Sequence, residues 1–134
     1  MLGPVDSSVA IAWAVPSQAT EGSARLLESV DPIVVPVLWA FEVANSLLAL
    51  WRRRVIRDEQ YERARRGLIA LESVVDEEGP RLALERISTL AKDHSLSVYD
   101  AVYLELSLRR GLPLASRVSA LNKAAKRARV RTLL

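Results

Sequence analysis

Three carboxylates in this chain lie among apolar neighbours. Asp6 ends an apolar run in VDSSVAIAW, Glu42 lies within VLWAFEVANSLLALW, and Asp100 within SLSVYDAVYLELSL. A carboxylate in such surroundings needs a cation or strong donors, or else takes up a proton. Each has a structural alternative. Asp6 can cap the helix-like segment that follows it, Glu42 can pair internally with an arginine, and Asp100 completes a Ser97-x-x-Asp100 capping box. Taken together, acids from three separate apolar elements suggest one converging oxygen-ligand site, because close like charges stay ionised only when a cation neutralises them. Mg²⁺ suits such a site: a few carboxylates hold it while it keeps waters for a phosphate substrate. The leading chemistry is then metal-assisted phosphodiester hydrolysis. Glu105, about a turn and a half beyond Asp100, reads as a rim residue rather than a ligand.

Composition narrows the alternatives. With 134 residues, half of them hydrophobic, the chain reads as one ordered domain, residues 1–134. It has no cysteine, which excludes disulfide scaffolds, thiolate metal sites and thiol nucleophiles; its single histidine, His94, excludes multi-histidine zinc sites. Any metal must therefore sit on oxygen, which favours magnesium or manganese. Charge is unevenly divided. Residues 1–105 hold 11 Lys/Arg against 16 Asp/Glu, whereas residues 106–134 hold eight basic groups and no acid. A basic C-terminal third suggests a polyanion partner, with a solvated helix face or an acidic protein as the alternative.

The elements that would position the acids follow from the apolar pattern. Short apolar runs at 2–5, 33–35, 73–75 and 112–115 read as strands, with 130–133 as a final edge. Helical patterns fall near 18–29, 37–54, 58–72, 81–93, 97–109 and 118–128. Strands alternating with helices predict a mostly parallel sheet of four to five strands covered on both faces, a three-layer α/β/α fold. Pro4 is expected at an edge or a strand start. The helix at 37–54 is apolar almost all round and is expected to be buried. Residues 32–51 resemble a membrane span, but Pro36 splits them, and a central carboxylate such as Glu42 costs roughly 2.5–3.5 kcal/mol on insertion scales. A strand followed by a helix is the better reading, with no membrane contact. The N-terminus lacks the features of a signal peptide, which predicts a cytoplasmic protein.

VDSSVAIAW, PVLWAFEVANSLL, LSVYDAVYLELSLRRGLPLAS and the closing basic helix resemble the PIN-domain ribonucleases, most closely the VapC-like toxins of toxin–antitoxin pairs. The likeness spans essentially the whole chain, in order and spacing. It implies a Mg²⁺- or Mn²⁺-dependent endoribonuclease, a homodimer, and a small cognate antitoxin that blocks the site. By match, Asp6, Glu42 and Asp100 are the metal-binding acids and catalytic residues, and Ser8 and Asn45 orient ligands or water. Ser116 matches the hydroxyl residue of the family's L-A-T-x-D-x-x-L segment. Arg117, Lys123, Lys126 and Arg127 would draw single-stranded or loop RNA across the site. No aromatic platform accompanies them. Leu68, Ile69, Leu71 and Arg52 to Arg54 are candidates for dimer or antitoxin contacts.

One position departs from the pattern. Val118 stands where the family places a fourth Asp, and valine neither ligates a metal nor positions water. Ser119 or Asn122 would be weak neutral substitutes. Two further readings stay open: a catalytically weakened module that binds RNA or antitoxin without turnover, and a phosphatase using Asp6 as nucleophile. The phosphatase would usually want a second acid at position 8, where Ser8 stands.

Overall fold

The structure, a computed structural model, describes residues 2–27 and 31–134. Two regular strands, β1 (Ile33–Pro36) and β2 (Ser73–Asp76), pair in parallel with Ile33 opposite Ser73 and Pro36 opposite Asp76. Parallel bridges extend the sheet from Pro4 to Val34, from Val5 to Ala115 and from Leu114 to Thr132. The spatial order is therefore β2, β1, residues 4–5, residues 114–115 and residue 132, using all five expected segments. Consecutive strand residues Ile33, Val34 and Val35 are buried, as are Val5, Leu114 and Ala115. Burial on both sides of a strand means cover on both faces, as a parallel sheet requires. β2 is the exception: as an edge strand it leaves Ser73, Val74 and Val75 exposed.

Pro4 takes the strand-start alternative: it opens the 4–5 segment, which lies in the sheet's interior between β1 and residues 114–115. The ladder runs past it. Ala115 N donates to the Pro4 carbonyl at 2.9 Å, and Asp6 N donates to the Ala115 carbonyl at 3.0 Å. Only the donor that proline lacks is missing. Its neighbour Gly3 has φ +115°, and a Cβ there would stand 2.1 Å from the Pro113 carbonyl oxygen, so only glycine lets these two segments approach.

Between the strands run α1 (Ser7–Ala14), a 3₁₀ turn (Pro16–Gln18), α2 (Glu21–Leu27), α3 (Trp39–Arg52) and α4 (Asp58–Ala70). α5 (Gly79–Leu82), a π turn (Ala83–Ile87) and α6 (Ser88–His94) follow β2, then α7 (Val98–Arg110) and α8 (Ser119–Arg127). The helical pattern at 18–29 resolves into the 3₁₀ turn and α2, and its residues 28 and 29 lie outside the described residues. α1 packs on α2, α3 and α4, while α7 packs on α6 and α8. Among the described residues no helix is long and apolar enough to cross a membrane.

α3 is not buried all round. It buries Trp39, Val43 and Leu47 but leaves Phe41 75% and Trp51 41% exposed. Its apolar residues divide between the core and an outward face. α7 is the buried helix, with every residue from Ala101 to Ser107 inside.

Glu105 lies on that buried helix and is 1% exposed, which corrects its reading as a rim residue. Arg109, one turn on, donates from Nε to Glu105 Oε2 at 2.9 Å and from Nη2 to Asp76 Oδ2 at 2.6 Å. Arg110 Nη2 reaches Asp76 Oδ1 at 3.0 Å. A buried carboxylate is tolerated when charged donors satisfy it. The Arg109 bonds hold the Asp76 carboxyl below the ordinary 3.8 against the opposing effect of burial, with Arg110 adding to them. This network ties the end of β2 to the C-terminal turn of α7, and so fixes the helix that carries Asp100.

Candidate active site

Asp6 ends the 4–5 segment and caps α1, where a parallel strand gives way to its helix. The side chain is 3% exposed, with both carboxylate oxygens bonded. Oδ1 accepts from Ser8 Oγ at 2.5 Å and from Val9 N at 3.2 Å, and Oδ2 accepts from the Ser116 hydroxyl. Ser116 Oγ in turn accepts from Val118 N at 2.9 Å, and Ser8 Oγ accepts from Arg117 N at 3.1 Å. The two serines therefore join the 116–118 corner to Asp6, although about 110 residues separate them. Capping and site geometry coexist in one carboxylate.

Glu42 and Asp100 occupy first turns, of α3 and α7 respectively. The arginine alternative for Glu42 is not what the structure contains. Glu42 Oε1 accepts from the Tyr103 hydroxyl at 2.6 Å. Burial raises the Glu42 carboxyl above its ordinary 4.5, the Tyr103 bond opposes that rise, and the charges of Asp100 and Asp6 add to it. Burial also raises Asp100 above 3.8, helped by the charge of Asp6 and opposed by a bond within the Ser97 cap. Ser97 engages Asp100 twice: its Oγ accepts from Asp100 N at 3.1 Å, and its hydroxyl also favours the ionised Asp100 carboxylate. The Tyr103 phenol, 1% exposed, is driven far above its usual range by burial and by the adjoining Glu42.

The three acids thus share one electrostatic field. None of the ion pairs among the described residues involves Asp6, Glu42 or Asp100. Among the described residues, no three His, Cys, Asp or Glu side chains come together closely enough to hold a metal ion as they stand. The three are hard oxygen donors, the kind that Mg²⁺ or Mn²⁺ prefers, and a divalent cation would relieve their mutual repulsion.

The remaining expected site residues are distributed unequally. Asn45 lies a turn beyond Glu42, exposed, with no side-chain hydrogen bond among the described residues. Val118 is the N-cap of α8 and supplies no side-chain bond there. Asn122 Nδ2 donates to the Ser116 carbonyl at 2.9 Å, and its Oδ1 is buried without a partner among the described residues. Ser119 is exposed. Arg117 is exposed beside Ser116, its Nη1 on the Gln18 carbonyl at 2.9 Å. Lys123, Lys126 and Arg127 line the outer face of α8. Arg127 lies roughly 12 Å along the helix axis from Ser119, against the His94 carbonyl. Tyr103 was not among the expected residues. Its signal was its position three residues after Asp100, on the same helix face.

Comparison with known proteins agrees with this architecture. Residues 5–127 match the PIN domain family. Over 107 residues the chain is 28% identical to Ribonuclease VapC3 of Pyrobaculum aerophilum, across 80% of this chain and 82% of that protein. Its fold is similar to that of PAE2754 from Pyrobaculum aerophilum, with a TM-score of 0.63 and 20% identity over 90% of this chain and 77% of the other. A toxin–antitoxin complex from Klebsiella pneumoniae gives a TM-score of 0.58 and 18% identity over 87% of each chain. The chain belongs to the PIN domain family.

Proposed function

We propose that residues 1–134 form one PIN domain acting as an endoribonuclease, the toxin of a toxin–antitoxin pair, with Asp6, Glu42 and Asp100 as its metal-binding acids. The observation that carries this is the cluster itself: three carboxylates on three elements, coupled to one another, without a basic partner among the described ion pairs. The relative named Ribonuclease VapC3 supports the reaction class, and the fold's likeness to a toxin–antitoxin complex supports the setting.

A divalent ion held there, Mg²⁺ or Mn²⁺, would lower the pKa of a bound water and neutralise charge on the scissile phosphate. The chain's own residues prepare that chemistry. Ser8 and Ser116 fix both oxygens of Asp6, and Tyr103 fixes Glu42. Orientation by such outer partners is worth about 10–100-fold in affinity or activity. Arg117, Lys123, Lys126 and Arg127 supply positive charge for the RNA backbone. Two apolar clefts that open to the surface support the two protein partners, a second copy and an antitoxin. One is a groove between α3 and α4 that includes Trp39, Val43, Leu47, Leu68 and Ile69. The other surrounds Phe41, Pro80, Val98 and Tyr99.

A second reading rests on Val118. With no oxygen at that cap, the chain is a weakened PIN module that binds RNA or antitoxin with little turnover. The test is cleavage of single-stranded RNA with Mg²⁺ or Mn²⁺ by the wild type and by Asp6→Asn. Metal-dependent cleavage abolished by Asp6→Asn supports the nuclease. Binding without cleavage in either metal supports the second reading.

A further inference from the structure

A cleft of ≈ 440 Å³ opens beside the acids, between α1 and the C-terminal half of α3. Ser8 and Ile11 form one wall, Ser46, Leu50 and Arg53 the other, and Arg117 closes it. Ser8 belongs to both places, because the hydroxyl that bonds Asp6 also lines the cleft. The cleft therefore adjoins Asp6 through Ser8. On α3, Glu42, Ser46, Ala49 and Arg53 follow one another at helical spacing along one face, from the acids to the far end of the cleft. Eleven residues place Arg53 roughly 16 Å along the axis from Glu42.

Neither Arg53 nor Arg117 takes part in an ion pair among the described residues, and both are exposed. Arg117 places one nitrogen on the Gln18 carbonyl, which aims the guanidinium while other donors remain. Two guanidinium forks without an ion-pair partner among the described residues, with the Ser46 hydroxyl in the wall between α3 and the cleft, match phosphate oxygens. The apolar strip of Ile11, Ala49 and Leu50 suits a ribose or a base face. The volume matches a nucleotide-sized ligand and not a duplex.

We infer that this cleft is a phosphate subsite in which Arg53 and Arg117 hold the backbone of single-stranded RNA a few nucleotides from the bond to be cut. The inference rests on the nuclease reading for its substrate and assigns the direction in which the strand leaves the acids. It gives Arg53 a role in RNA binding in place of protein contact.

The experiment is fluorescence anisotropy of a labelled single-stranded RNA oligonucleotide in EDTA across a salt series. It compares the wild type with Arg53→Ala, Arg53→Lys, Arg117→Ala and, as a control on the outer face of α4, Arg63→Ala. Arg53→Ala and Arg117→Ala should each weaken binding about tenfold and reduce the salt slope by about one. Arg53→Lys should recover part of the loss, and Arg63→Ala should match the wild type. Unchanged RNA affinity and slope in Arg53→Ala, with its melting temperature preserved, would overturn the subsite. So would tighter Arg53-dependent binding of labelled polyglutamate than of RNA, since that result assigns the cleft to an acidic peptide. Cleavage with Mg²⁺ separates the two claims. A wild type that cuts, with KM unchanged in Arg53→Ala, removes the subsite and keeps the nuclease. Arg53-dependent binding without cleavage by the wild type removes the nuclease and keeps the subsite.

Discussion

The Tyr103 hydroxyl donates to Glu42 Oε1 at 2.6 Å, joining the buried helix α7 to the first turn of α3. The bond favours the ionised carboxylate, while burial, Asp100 and Asp6 oppose it. Tyr103→Phe keeps the ring and removes only the donor. Hydrogen bonds to charged groups contribute about 1.5–3 kcal/mol, and the half-buried Glu42 places this loss near the lower end. The Glu42 carboxyl then rises further, so the acid limb of the cleavage profile moves to higher pH. A pH–rate profile of the two proteins checks this, and superimposed acid limbs would contradict it.

Val118→Asp supplies both an acid and a cap. Valine leaves the first turn of α8 without a side-chain acceptor, and an aspartate N-cap contributes about 1 kcal/mol. The same carboxylate joins three others, so repulsion should offset the gain until a cation is added. The expected result is little change in melting temperature in EDTA, a larger rise with Mn²⁺ than in the wild type, and RNA cleavage faster by on the order of tenfold. Equal cleavage rates in wild type and variant would remove Val118 as the explanation for a weakened site.

Ser116→Ala removes a hydroxyl that donates to Asp6 Oδ2 and accepts from Val118 N. The buried Asp6 and the half-buried Val118 N lose their bonds together, and a loss of about 1–3 kcal/mol follows. Because Asp6 loses one of its orienting groups, cleavage should fall by about 10–100-fold while RNA affinity in EDTA is kept. Equal loss of both would make Ser116 a purely structural residue.

Asp76 sets an acid limit on stability. Its carboxyl is held below 3.8 chiefly by the Arg109 bond. A lowered acid stabilises the fold above its unfolded value and loses that contribution as pH falls through the folded one. Melting curves from pH 6 downward should therefore decline more steeply below about pH 4 for the wild type than for Asp76→Asn. Parallel curves would show that the pair does not control acid unfolding. At neutral pH the variant should be less stable by about 3 kcal/mol, since it leaves Arg109 and Arg110 without their shared carboxylate.

Much of this was legible in the sequence because burial writes itself as pattern. Apolar runs marked all five paired segments, and acids inside apolar elements marked three carboxylates whose charges act on one another. Three things were hidden, each for a physical reason. Tyr103 reads as a core aromatic, because its hydroxyl partner is 61 residues away in sequence. Glu105 reads as a rim residue from its spacing to Asp100, although Arg109, one turn on, is its visible counterpart. α3 looked buried throughout because surfaces for partners and for the core use the same apolar residues, so Phe41 and Val43 differ only in which way they face.

The central claim is that Asp6, Glu42 and Asp100 form one ion site. Mn²⁺ titration followed by electron paramagnetic resonance reads this without requiring turnover, in the wild type and in Asp6→Asn, Glu42→Gln and Asp100→Asn. The account predicts saturable binding by the wild type, weakened about tenfold or more by each of the three substitutions and unaffected by Glu105→Gln. Wild-type affinity retained by any one of the three folded variants would show that its carboxylate lies outside the site and contradict the account.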